Sequence, residues 1–204
     1  MNLTFYTNPM SRGQIVRWML EETGVPYEEV LLDYGTTMKA PEFLAINPMG
    51  KVPAIRHGDT VVTEAAAICA YLADAFPQAG LAPPPGERGA YYRWLFFAAG
   101  PVESAVTARA FGLEVPAERA MSAGYGTYEA TIEALEGAVA GRSFVAGDRF
   151  TAADVYVGSQ IDWGIMFGTM PRRAAFDDYI APLREREAYK RAKARDTALM
   201  PPGG

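Results

Sequence analysis

Apolar and polar positions change rhythm near residue 80. Before it, short runs alternate between strand-like and helix-like spacing. Leu3-Thr4-Phe5-Tyr6 is a β-prone run that stops at the turn cluster Thr7-Asn8-Pro9. Ser11 precedes a helical pattern with Ile15, Trp18 and Met19 on one face and Gly24 as its stop. Glu28–Leu32 reads as a second strand and Pro41–Ile46 as a short helix. Val52–Arg56 and Thr60–Thr63 are strand runs joined by His57-Gly58-Asp59, a hairpin signal. Glu64–Phe76 is an alanine-rich helix closed by Pro77. The order β-α-β-α-β-β-α predicts an α/β domain, a mixed sheet with helices packed on it.

Beyond residue 80 the strand signal disappears. Leu81-Ala82-Pro83-Pro84-Pro85-Gly86 is too proline-rich for the interior of a helix or sheet and reads as a stiff linker. The rest has helical spacing: Arg88–Phe111, with a kink expected at Pro101, then Ala117–Ala140, Ala152–Phe167, Phe176–Arg184 and Ala188–Arg195. The expected organisation is a domain over 1–80, a linker over 81–86 and an all-helical domain over 87–204. The tail Pro201-Pro202-Gly203-Gly204 is expected to be disordered.

Composition narrows the possible functions. Of 204 residues, 50% are apolar and 12% aromatic, enough for a packed core, which excludes disorder of the whole chain. A net charge of −5 argues against a nucleic-acid partner bound through a broad basic face. One cysteine excludes an intrachain disulfide or a multi-cysteine metal site, and one histidine removes most histidine-based zinc sites and triads. The longest apolar run, Trp94 to Val102, is too short for a membrane span, and no leader pattern precedes the first strand. The expectation is a cytoplasmic protein with no metal and no membrane partner. Arg184, Arg186, Lys190, Arg191, Lys193 and Arg195 form a basic cluster, either a solvated terminal helix or a patch for phosphate or a partner.

Three stretches of the first domain carry candidate chemistry. In Asn47-Pro48-Met49-Gly50-Lys51-Val52-Pro53, Gly50 can turn left-handed before a strand. A cis Val52–Pro53 bond would turn the Val52 backbone outward at a sheet edge, where an extended peptide can pair with it; a plain turn is the other reading. In Thr63-Glu64-Ala65-Ala66-Ala67-Ile68 a strand runs directly into a helix. Helix-start amides accept an anion and Glu64 an ammonium, which together describe an α-amino acid; equally, Thr63 can cap the helix and Glu64 complement its dipole. Ser11 is either the cap of the first helix or a hydroxyl that favours thiolate over thiol in a sulfur ligand.

These stretches, in this order, resemble the cytosolic glutathione S-transferases, in particular bacterial and theta/zeta-like serine-type members. The likeness rests on Asn8-Pro9-Met10-Ser11-Arg12, on Asn47 to Pro53, on Thr63 to Leu72, on Phe150-Thr151-Ala152-Ala153-Asp154-Val155 and on Arg186 to Ala192. It implies a thioredoxin-like domain followed by an all-helical one, and glutathione as co-substrate held by the first. Ser11 would donate to the glutathione sulfur, and Val52, before cis Pro53, would pair with the cysteinyl backbone. Glu64 and the Ala65 amide would hold the γ-glutamyl end, and Lys51 and Lys39 would meet the glycyl carboxylate. Many relatives have serine where this chain has Ala65, so one hydrogen bond to glutathione is missing. Thr151 to Asp154 would be a structural capping box, Cys69 a buried small hydrophobe and His57 an exposed turn residue.

The implied activity is conjugation of the glutathione thiolate to hydrophobic electrophiles in detoxification. The resemblance places the second substrate between the domains, with Met10, Phe97, Pro101 and Phe167 as candidate walls. It also implies a homodimer, with helix Glu64–Phe76 against the long helix Arg88–Phe111 of the other copy. Two rivals share these residues: a binding or regulatory protein with weak or no catalysis, and a glutathione-dependent dehalogenase or isomerase. Thiol–disulfide exchange is disfavoured, because positions 10 to 12 are Met, Ser and Arg.

Overall fold

The computed structural model describes residues 2–200. The proline- and glycine-rich tail lies outside them. The chain divides into two compact units. The first takes the chain up to Leu81 together with the segment from Arg186 onward; the second is Ala82–Glu185.

The first unit is built on β1 (Leu3–Thr7), α1 (Gly13–Thr23), β2 (Glu28–Leu31), α2 (Pro41–Leu44), β3 (Ala54–His57), β4 (Thr60–Thr63) and α3 (Ala65–Ala75). The sheet order is β2-β1-β3-β4, with β2 parallel to β1 and the other two neighbours antiparallel. Central β1 is buried at all 5 positions, which is why it reads as a continuous β-prone run and not as an alternation. Helix α1 buries Ile15, Trp18 and Met19, as its spacing predicts. It ends at Gly24, whose left-handed backbone lets its amide donate to Leu20 O at 3.1 Å. This is a thioredoxin-like unit.

In the second unit, α4 (Gly89–Phe97) and α5 (Glu103–Ala110) are joined by a π-helical turn over Ala98–Val102. Pro101 lies inside that turn; proline has no amide to donate there, and the wider turn absorbs it. The helix expected over 117–140 is shorter. A 3-10 turn covers Ala117–Ser122, and α6 (Tyr128–Val139) starts only after Gly126, which has φ +66°. Thr127 caps α6 by accepting from the Ala130 amide at 3.2 Å. Helices α7 (Ala152–Met166) and α8 (Ala174–Arg184) complete this all-helical unit.

The capping box at the start of α7 is anchored on Asp154, which is buried. One of its oxygens accepts from Val145 N and the Tyr179 hydroxyl, both at 2.7 Å, and the other from Thr151 N at 2.8 Å. With the Thr151 hydroxyl at 3.1 Å, four donors from three residues thus meet on one carboxylate, consistent with a structural role.

The last helix, α9 (Glu187–Leu199), packs in the first unit. The expected helical domain over 87–204 therefore ends at Glu185 in space. The reason is the basic cluster. Arg186 forks onto Glu22 at 2.7 and 2.8 Å, Arg191 meets Glu21 at 2.8 Å and Arg195 meets Glu29 at 3.0 Å. Lys193 donates to Gln14 at 2.7 Å. Arg184, on α8, pairs instead with Asp162. These cations tie α9 to α1 and β2, while Arg191 and Arg195 remain more than half exposed on the solvated face that the sequence also suggested. Beneath them Arg17 and Asp196 form a buried pair. Among the described residues, no helix is long and apolar enough to cross a membrane.

Candidate functional site

Sheet register gathers the three candidate stretches. Tyr6 lies opposite Ala54, and Ala54 opposite Thr63. The residues that leave the sheet at that end are Thr7 into the loop before α1, Pro53 entering β3, and Glu64 leaving β4. Antiparallel pairing of β3 with both neighbours therefore brings residues 8–13, 50–53 and 63–65 to one end of one sheet.

Asn8 organises the first loop. Its side-chain amide donates to Leu32 O at 2.8 Å and its carboxamide oxygen accepts from Met10 N at 2.9 Å. Ser11 is 6% exposed. Its hydroxyl donates to Asn8 O at 2.6 Å and accepts from Gly13 N at 2.9 Å. It is thus a turn-former preceding the helix: the cap position of α1 is Arg12, which makes no side-chain cap. Gly13 is required there, since a Cβ would stand 2.0 Å from the Thr7 hydroxyl oxygen. Met10 is 58% exposed beside Ser11, and the Tyr34 hydroxyl donates to its carbonyl at 3.2 Å.

The second loop is held by Asn47, which donates to Lys51 O at 2.7 Å and accepts from Met49 N at 3.1 Å. Gly50 has φ +57°, and a Cβ on it would come within 2.7 Å of Met38 O. Lys39, expected at a carboxylate, spends its ammonium on Met49 O and Gly50 O, both at 3.0 Å. Lys51 is exposed. The Val52–Pro53 peptide is cis, and Val52 lies outside the β3 ladder, which starts at Ala54.

At the third stretch, Thr63 does not cap α3. The cap position is Glu64, with φ +68° and ψ +117° and no side-chain cap bond. Glu64 is the one described non-glycine residue with positive φ, a conformation that favours glycine. Unusual backbone at this junction leaves the first-turn amides of α3 uncapped by side chains and unopposed by any acidic residue in that turn. Ala65 is buried at the first helical position and Glu64 is exposed.

The remaining candidates fall elsewhere. Phe97, Pro101 and Phe167 belong to the second unit. There Phe97 packs edge-on to Trp94 at 5.6 Å, and Phe167, 68% exposed, edge-on to Trp163 at 6.0 Å. Cys69 is fully buried on α3, and burial pushes its thiol well up from the ordinary range. His57 is not an exposed turn residue. It is half-buried, its Nδ1 3.0 Å from the Tyr71 hydroxyl and its ring 5.4 Å from that of Phe76. The residues that sequence reading missed are Asn8, Gly13 and Tyr34. An Asn-Pro turn with a glycine at the helix start was the available signal for the first two.

Comparison with known proteins bears on the family of the chain. Residues 1–74 match the family model of the glutathione S-transferase N-terminal domain. The chain is 29% identical over 163 residues to glutathione S-transferase 3 of Zea mays, spanning 74% of this chain and 73% of the maize protein. Against a glutathione S-transferase of Xanthomonas campestris pv. campestris it is 27% identical over 171 residues, 79% of this chain and 82% of the other. A solved glutathione transferase of Methylococcus capsulatus shares 28% identity at a TM-score of 0.79, covering 96% of this chain and 99% of that one. A sphingomonad glutathione S-transferase solved with glutathione shares 28% identity at 0.77, covering 95% and 98%.

Proposed function

Since the chain belongs to the cytosolic glutathione S-transferase family, we propose that it binds glutathione at this end of the sheet and joins it through its sulfur to an apolar electrophile. The observation that carries the reading is the convergence of the Ser11 loop, the Val52–Pro53 edge and the Glu64–Ala65 helix start through one register. Each offers the chemistry of one part of the tripeptide. The Val52 backbone pairs with the cysteinyl unit as an added strand. The uncapped α3 amides take the γ-glutamyl carboxylate, and Glu64 takes its ammonium. Lys51 meets the glycyl carboxylate, since the Lys39 ammonium is held by Met49 O and Gly50 O.

Ser11 then acts on the sulfur. A free thiol ionises near ~8.5, and lowering that by ~2 units needs ~2.7 kcal/mol in favour of the thiolate. Ser11 must move its proton from the Asn8 carbonyl to the sulfur. The Asn8 carbonyl is not orphaned by this, because the Ser11 amide also donates to it at 3.1 Å. The thiol proton leaves to solvent. The sulfur electron pair forms a bond to the electrophilic carbon, and either the leaving group departs with its bonding pair or a proton from solvent completes an addition. Exposed Met10 beside Ser11 offers an apolar wall for that carbon. The chain supplies orientation and thiolate stabilisation, with no covalent enzyme intermediate.

The test is Ser11→Ala, read as thiolate absorbance of the glutathione-saturated protein against pH. The bound thiol should titrate at higher pH, and turnover should fall about tenfold or more. An unchanged titration would remove Ser11 from the role.

A second reading, binding or regulation without conjugation, draws on Ala65 and on the engaged Ser11 proton. No detectable glutathione binding at millimolar ligand would favour it, and turnover of a haloalkane or a double-bond isomer would favour the dehalogenase or isomerase variant. We also propose a homodimer through α3 and the α4–α5 helix, where Tyr92 and Phe96 are exposed on α4. A monomeric mass at micromolar protein would contradict it.

A further inference from the structure

Thr7 ends β1 at the floor of the site, fully buried, and its hydroxyl has no hydrogen-bond partner. A buried hydroxyl left unpaired is destabilising and calls for a reason. Its surroundings supply one. A Cβ at Gly13 would stand 2.0 Å from the Thr7 hydroxyl oxygen and 2.9 Å from that of Ser11, so both oxygens crowd the same side of Gly13. The Thr7 backbone is already committed, its carbonyl accepting from Leu32 N at 2.9 Å. The strand end is therefore fixed, and only the hydroxyl remains free to turn.

The Ser11 oxygen has an unused capacity. A hydroxyl oxygen accepts two hydrogen bonds and donates one. Ser11 accepts from Gly13 N and donates to Asn8 O, which leaves one lone pair unfilled among the bonds of this loop. We propose that Thr7 is a positioning residue for thiolate stabilisation: as Ser11 turns its proton toward the glutathione sulfur, Thr7 donates to the Ser11 oxygen. This rests on the glutathione reading above. Two donors on the serine oxygen polarise its O–H, so its hydrogen bond to the sulfur strengthens along the chain Thr7 O–H, Ser11 O–H, S⁻. The same bond holds the serine rotamer that faces the ligand.

The experiment compares wild type, Thr7→Val, Thr7→Ser and Ser11→Ala, each saturated with glutathione, by thiolate absorbance against pH. Valine keeps the shape of threonine and removes only the hydroxyl. Thr7→Val should shift the bound-thiol titration upward, leaving about three- to tenfold less thiolate at a pH below the midpoint. Its thermal unfolding should be unchanged or raised, since an unpaired polar group has been removed. Thr7→Ser should restore the wild-type titration. In turnover the loss should appear in kcat at low pH and fade at high pH. Should valine not fold, Thr7→Ala carries the same titration. If Thr7→Val titrates as wild type while Ser11→Ala is shifted, Thr7 has no part in the site and the glutathione reading stands. If Ser11→Ala also titrates as wild type, the reading beneath fails, and the Thr7 inference fails with it.

Discussion

Arg17 and Asp196, 179 positions apart, meet in a buried hydrogen bond of 2.7 Å. Arg17 also reaches Glu29, and its guanidinium lies 5.3 Å over the Phe5 ring. Burial alone would pull the guanidinium pKa down; Asp196 and Glu29 outweigh it, and the group ends above its ordinary value. Removing Asp196 leaves the buried Arg17 with Glu29 as its remaining carboxylate and its Nε–H without an acceptor. Asp196→Ala should therefore lower stability by ~3–5 kcal/mol in urea denaturation, while Arg195→Ala, at an exposed pair, should cost ~0–1 kcal/mol. Equal effects would mean that the buried pair does not anchor α9.

Ala65 gives a gain-of-function prediction. It occupies the first position of α3, beside the uncapped amides. Ala65→Ser adds a hydroxyl donor for the γ-glutamyl carboxylate, a charge-assisted bond worth ~1.5–3 kcal/mol. Calorimetric titration should show tighter glutathione binding by tenfold or more. Weaker or equal affinity would place the carboxylate elsewhere.

Cys69 should be inert in the folded protein. It is fully buried, and burial disfavours its thiolate. A chromogenic disulfide reagent should titrate no thiol under native conditions and one after denaturation. Rapid native reaction would reopen thiol–disulfide exchange as an activity.

Gly13→Ala tests the packing of the Ser11 turn directly. The new methyl would meet the Thr7 oxygen at 2.0 Å, and relief requires the turn to move. Overpacking of this kind costs ~1–3 kcal/mol, and displacement of Ser11 should raise the glutathione Kd as well. A variant with wild-type affinity would show that the turn geometry does not matter to the ligand.

The first 80 residues were legible because their signals are local. Period, hairpin residues and the Gly24 and Pro77 stops each act within a few positions, and they place the strands and helices within a residue or two of those found. The fate of the basic cluster was not legible, because its partners Glu21, Glu22 and Glu29 lie more than 160 positions away. The break before α6 was hidden by helix-forming Ala117 to Ala120, and only Gly124 and Gly126 marked it. At the site, the residue types were readable and their hydrogen bonds were not. A serine before a helix reads as a cap, yet its proton lies on Asn8 and its oxygen on Gly13. Nothing in a glutamate announces a left-handed backbone, so Thr63 took the cap assignment that belongs to Glu64.

The first unit is discontinuous, and that has a consequence for biogenesis. Its sheet is translated before the helical unit, and α9 only after every residue of that unit. Throughout that interval Arg17 on α1 and Glu29 on β2 lack Asp196 and Arg195, and the α9-facing side of α1 stands open. Chaperone demand should therefore concentrate on the first 81 residues until α9 emerges, and a stop codon placed shortly before Arg186 should leave a product that is captured or degraded although its strands are all present.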